Sequence, residues 1–144
     1  MNLLDLFDSR DKKKRLSHIR NLLALACADG SMEKGELDLI FKIGARAGLT
    51  PNELQRIMER PDSVKFYPPD SDREQIEQLY DMVLIMMVDG ELHKNEIAFC
   101  KLTALRLGFK PGIIDRMIEI TVDLIAKGIA SEIALARLLD LDLD

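Results

Sequence analysis

The stretch IEQLYDMVLIMMVDGELHKNE, residues 76–96, decides the fold. Its first part is apolar on nearly every side, unbroken from Met82 to Val88, as in a helix buried all round. Asp89-Gly90 ends it, because glycine takes the left-handed conformation past a helix end without steric cost. Glu96 follows seven residues after Asp89, and residues 16–36, LSHIRNLLALACADGSMEKGE, repeat the arrangement upstream with Asp29, Gly30 and Glu36.

Laying residues 19–60 over 79–120 without a gap gives nine identities in 42 positions, among them Lys34/Lys94, Arg46/Arg106, Gly48/Gly108 and Pro51/Pro111. They gather at turns and caps where chance would scatter them, which points to duplication of a three-helix unit. The expected fold is all-α, a single domain of about seven to eight helices built from two repeats related by an approximate twofold axis. Repeat one covers about 12–60, a Pro-rich connection 61–71, repeat two about 72–127, and a C-terminal helix with an acidic tail 128–144. Ala24, Ala26 and Ala28 in the first copy correspond to Leu84, Met86 and Val88 in the second. A slim helix against a bulky one fills space without voids, so these two helices are expected to cross at the centre.

Local signals set the boundaries. One helix is expected from about Lys12 to Asp29-Gly30 and another from Lys34 to Ala47. Thr50-Pro51-Asn52-Glu53 opens a third with a capping box and proline at its first position, and Ser71 with Glu74 reads as a second box. Pro61, Pro68 and Pro69 exclude helix from the connection, which is expected to be extended and pinned by Phe66 and Tyr67. Those two aromatics are also the candidate partner-docking residues. After Pro111 the stripe Ile114, Met117, Ile118, Thr121, Val122 and Ile125 marks a helix, and a last one runs from about Ser131 to Leu139.

Composition narrows the class. A chain of 144 residues suffices for one domain that buries roughly 68 to 70% of its unfolded surface. Hydrophobic residues at 47% and charged residues at 31% exclude a disordered or membrane-embedded chain. Aromatics at 5%, no Trp and 7 Met imply an aliphatic and thioether core suited to helix-on-helix packing. A net charge of -5 and a pI near 5.1 oppose attraction to nucleic acid and to anionic lipid. Cys27 and Cys100 sit in apolar patterns and are expected as reduced, buried thiols, a cytoplasmic signature. The N-terminus lacks the basic and long apolar regions of a secretory signal, and no apolar run approaches the ~20 residues of a membrane span. Leu3, Leu4, Leu6 and Phe7 are expected to dock as a short helix ahead of a charged run, and the acidic tail to be solvated.

The Asp-Gly-x5-Glu spacing resembles the second half of an EF-hand loop, with its third acidic ligand, sharp-turn glycine and final glutamate. The first two ligand positions would fall on Leu25 and Cys27, or Ile85 and Met87, which excludes an ordinary EF-hand. Folding alone explains much of the motif. Gly30 and Gly90 cap helices, Met32 with Leu37 and Leu92 with Ile97 form hydrophobic staples, and Glu36 and Glu96 reach back to free backbone N–H groups. Asp29 and Asp89 have no such reason, since they face the negative end of a helix dipole. If the twofold joins the loops, Asp29, Glu36, Asp89 and Glu96 converge. Each pair about 6 Å apart then repels by roughly 2.8 kcal/mol at an effective dielectric of 20, and a divalent cation relieves the cost. These four are the candidate metal ligands. His93 reads as a solvated helix-start residue and His18 as surface. No Cys or Ser has a nucleophile's setting and no glycine-rich loop follows a strand, so no enzyme is expected.

Two Asp-Gly-x5-Glu units, each with an apolar helix before it and an amphipathic helix, Gly and Pro after it, resemble the TerB-like (tellurite-resistance) family, which includes the N-terminal region of the DjlA co-chaperone. The resemblance covers about residues 12–125. It implies an all-helical fold, a bacterial cytoplasmic setting, a non-enzymatic role tied to stress or membrane-associated complexes, and metal ligation at Asp29, Glu36, Asp89 and Glu96. Glu33 and His93 depart from it, standing where a Ser or Thr cap is common. The competing expectation is a protein-interaction module with purely structural loops, its partner another protein or a second copy of the chain.

Overall fold

The computed structural model describes residues 10–141. Among them are seven α-helices and no strand: α1 (Arg10–Ala26), α2 (Lys34–Arg46), α3 (Pro51–Glu59), α4 (Asp72–Met87), α5 (Lys94–Leu107), α6 (Ile114–Ala126) and α7 (Ser131–Leu139). Short 3₁₀ turns at Pro61–Ser63 and Pro111–Ile113 follow α3 and precede α6. The apolar patch expected at residues 3–7 and the last three tail residues lie outside the described residues.

α4 is the hub, packing against α1, α2, α5, α6 and α7. Its sequence explains the position: Ile76, Leu79, Tyr80, Met82, Val83, Ile85 and Met86 are all buried, more than one face's worth of apolar surface. A helix with so wide an apolar girth has to be covered from several sides. α1 plays the same part more narrowly, with Ile19, Leu22, Leu25 and Ala26 fully buried against α2, α3, α4 and α5. Buried side chains of all seven helices join one cluster.

Caps fix the helix starts. Thr50 Oγ1 accepts from the N–H of Glu53 at 3.2 Å, and the Glu53 carboxylate accepts from the Thr50 N–H at 3.0 Å. At α4 the box is displaced. Ser71 Oγ accepts from the Glu74 N–H, but Glu74 itself takes the N–H of Asp70, one residue earlier than expected. The reason is Lys14, which is 6% exposed and holds both Glu74 and Asp70 at 3.0 Å. Its ammonium pKa is raised, chiefly by Asp70.

The connection is pinned as its aromatics suggest. Tyr67 donates its N–H to the buried Ser17 hydroxyl at 2.9 Å, Lys13 sits 5.7 Å from the Tyr67 ring, and the Arg106 guanidinium lies 4.1 Å from the centre of Phe66. Both rings are half-buried against their own chain.

Three expectations need correction. Cys27 is exposed, because α1 ends at Ala26 and the thiol falls in the turn beyond, whereas Cys100 is buried and its thiol is pushed up to about 12 by burial. α1 and α4 do pack together, yet of the Ala-to-large series only Ala26 and Met86 are buried; Ala24 and Val88 are exposed. Residues two apart point to opposite sides of a helix, so Ala26 cannot share a face with Ala24 and Ala28, and the series never described one surface. His18 is not a solvated surface residue: its Nε2 lies 2.8 Å from Asp81 on α4.

Candidate metal centre

Each acidic loop leaves the end of one of the two central helices. Because α1 packs on α4 and α5, and α4 packs on α1 and α2, the residues after α1 meet those after α4. Gly30 and Gly90 have φ of 98° and 85°, the left-handed conformation that ends a helix, and each donates its N–H to the carbonyl three residues earlier at 3.0 Å. The loops have one backbone design.

The aspartates have a local role that the sequence did not reveal. Asp29 Oδ1 accepts from the Ser31 N–H at 3.3 Å and Asp89 Oδ1 from the Glu91 N–H at 3.0 Å, the self-bonding by which Asp tightens a turn two residues on. This offsets part of their unfavourable place at the helix dipole and gives each aspartate a local reason to stand there.

The puzzle moves to the glutamates. Glu36 and Glu96 are 3% and 2% exposed, and each has an Oε2 with no hydrogen-bond partner. Glu36 at least closes its expected box, its Oε1 accepting the Glu33 N–H at 3.1 Å. At Glu96 no such bond forms; α5 starts after His93 without a side-chain cap. Burial is the main cause that raises the Glu36 carboxyl, opposed by that Glu33 N–H. Glu96 is pushed up to about 8 by burial and then by the Glu36 carboxylate beside it.

His93 is the residue sequence reasoning undervalued. Far from being merely solvated, its Nε2 lies 2.9 Å from Asp89 Oδ2 and 4.0 Å from Glu96 Oε1. The imidazole holds Asp89 below the usual carboxylate range and Asp89 raises the imidazole in return. Ligating atoms of Asp29, His93 and Glu96 lie within 4.8 Å of one another, a grouping that joins both loops. Thus Asp29 and Glu96 stand in the cluster proper, Glu36 backs Glu96, and Asp89 is engaged by His93. The useful signal was the i, i+4 spacing of Asp89 and His93, which turns the ring towards its own loop's acid.

Apart from the contact between the two carboxyls themselves, the buried Oε2 atoms of Glu36 and Glu96 have no partner, and paired acids stripped of water in this way fit a cation. A cavity of about 420 Å³ between α1, α2 and α4 offers less, because Lys14 and His18 on its walls already pair with Glu74 and Asp81. Among the described residues no helix is long and apolar enough to cross a membrane. Comparison of the chain with protein-family models, with curated proteins and with solved structures gives no match.

Proposed function

We propose that this chain is a non-enzymatic, TerB-like helical module that holds a divalent cation between its two Asp-Gly-x5-Glu loops, in a stress-related role. The observation that carries the reading is Glu96, a carboxyl 2% exposed whose Oε2 has no donor, grouped with Asp29 and His93 and lying against the second buried acid Glu36. An isolated buried carboxylate is costly and usually paired or metal-bound. The cation supplies the missing partner. The organisation we propose is two three-helix repeats about an approximate twofold axis, α1 to α3 and α4 to α6. Matching turns at Gly30 and Gly90, and the reciprocal packing of α1 on α5 and α2 on α4, support it.

Calorimetric and thermal titrations with calcium, magnesium, manganese and zinc test the reading. A bound ion at 100 times its Kd stabilises by about 2.7 kcal/mol, so the melting temperature rises with ion concentration, and the double variant D29N/E96Q loses the rise. No heat and no melting shift at millimolar ion would end the proposal. A second reading then takes precedence, in which α5 docks a protein partner through Leu102 and Leu105, 64% and 44% exposed and three residues apart on one helix.

A further inference from the structure

The two loops supply unequal donors. Where the second loop has His93, the aligned position of the first has Glu33, so nitrogen enters the cluster once. The oxygens are fewer than four carboxylates suggest. Asp89 gives one oxygen to the Glu91 N–H and the other to His93; Glu36 gives Oε1 to the Glu33 N–H; Asp29 gives Oδ1 to the Ser31 N–H. What stays available is a small set: the remaining Asp29 oxygen, the Glu96 carboxyl, Glu36 Oε2 and, once its contact with Asp89 is exchanged for an ion, the imidazole.

We infer that His93 makes this a mixed nitrogen–oxygen centre that takes a zinc-class first-row divalent ion in preference to calcium or magnesium. The inference rests on the cation-binding reading above and specifies its ligand. Calcium takes six to eight oxygens at about 2.3 to 2.6 Å in a roomy shell, and here several of the carboxylate oxygens already accept an N–H bond that competes with it. Zinc is satisfied by about four donors, and in a tetrahedron with bonds of about 2.0 to 2.2 Å two ligands stand roughly 3.3 to 3.6 Å apart. Asp29, His93 and Glu96 already place theirs within 4.8 Å, so side-chain rotation that moves these atoms by about an ångström closes the set. Imidazole raises affinity for zinc, cobalt and nickel, whereas calcium and magnesium take carboxylate, carbonyl and water. An ion on Nε2 replaces the contact between His93 and Asp89 and frees Asp89 Oδ2 as a further acceptor.

The test is calorimetry of the full chain with zinc chloride and calcium chloride, and visible absorption of the cobalt-loaded protein. All variants carry C27S, because the exposed Cys27 thiol feels Asp29 and Glu36 nearby and would itself attract zinc. The expected result is zinc at least tenfold tighter than calcium. H93A then weakens zinc at least tenfold, leaves calcium within about twofold, and shifts the cobalt ligand-field bands. H93D, which restores a donor but not nitrogen, moves the preference towards calcium. H93Q replaces H93A should the ion-free melting of H93A fall well below that of the parent. Zinc and calcium binding alike, or zinc affinity unchanged by H93A while calcium still binds, overturns this inference and leaves the cation site standing. Binding of neither ion overturns both.

Discussion

The loops at 27–36 and 87–96 share a backbone and differ in how their side chains settle it. In the first, Glu36 caps α2 through the Glu33 N–H and Met32 packs half-buried on the core. In the second, Glu96 caps nothing, Leu92 is 44% exposed, and the loop acid is held by His93. One copy carries the features of folding and the other departs from them. Two loops that keep the same turn, while one of them lacks the local reason for a buried acid, show that turn and acid answer to different demands. The turn is required by chain reversal, the acid by something else.

The largest effect that would break this contrast concerns Glu96. Its carboxyl titrates near 8 in the folded chain against 4.5 ordinarily, so between those values the folded state holds more protons than the unfolded state. Stability of the ion-free protein therefore falls as pH rises from about 4.5 to 8. Glu36 and His93, both raised, act in the same direction, His93 above its ordinary 6.5. Asp89, held low, contributes only below its ordinary 3.8. E96Q should flatten most of the slope and stabilise the ion-free chain at pH 8 by roughly 2 to 4 kcal/mol, the scale of a shift of up to about three pKa units, with little change at pH 4.5. E36Q acts through the same pair, so the double variant should gain less than the sum of the singles. Chemical denaturation at several pH values measures all three. A slope rising with pH would show that Glu96 is ionised and partnered in the fold.

The glycines sharpen the other half of the contrast. Nothing lies within 4 Å of a Cβ added at Gly30 or Gly90, so substitution tests backbone conformation alone. G30A and G90A should each cost about 1 to 2 kcal/mol, the penalty of the left-handed conformation for a residue with a Cβ, and should match within a few tenths. A large inequality in their denaturation midpoints would mean that the two turns are not energetically alike.

What the sequence made legible was whatever depends on period and punctuation. The 3.6-residue stripes, the Thr50 cap and the glycine stops placed most of the helix ends within about three residues, because those signals act locally. The meeting of the acidic loops was legible through the repeat. The partner of each side chain was not. Whether Glu96 reaches back to the His93 N–H or points inward is set by packing of α1 against α5, which no spacing encodes. His93 was discounted because a histidine at a helix start is ordinarily solvated; it takes the fold to place Glu96 and Asp29 beside it. Asp29 and Asp89 looked unexplained because a bond to the residue two positions on leaves no mark in hydrophobic pattern.

The smallest expected effect lies in the staples. A hydrophobic pair across a helix start fixes the angle at which the chain enters, and it contributes only if both members leave water. Met32 does so and Leu92 does not. M32S should therefore cost about 1 kcal/mol, part of the 1.5 to 3 kcal/mol for a fully buried side chain of this size, while L92S should stay within about 0.5 kcal/mol. Equal losses in urea melts would mean that Leu92 is covered in solution. The second loop would then be packed like the first, and the absence of local support around Glu96, on which the asymmetry between the loops depends, would have to be abandoned.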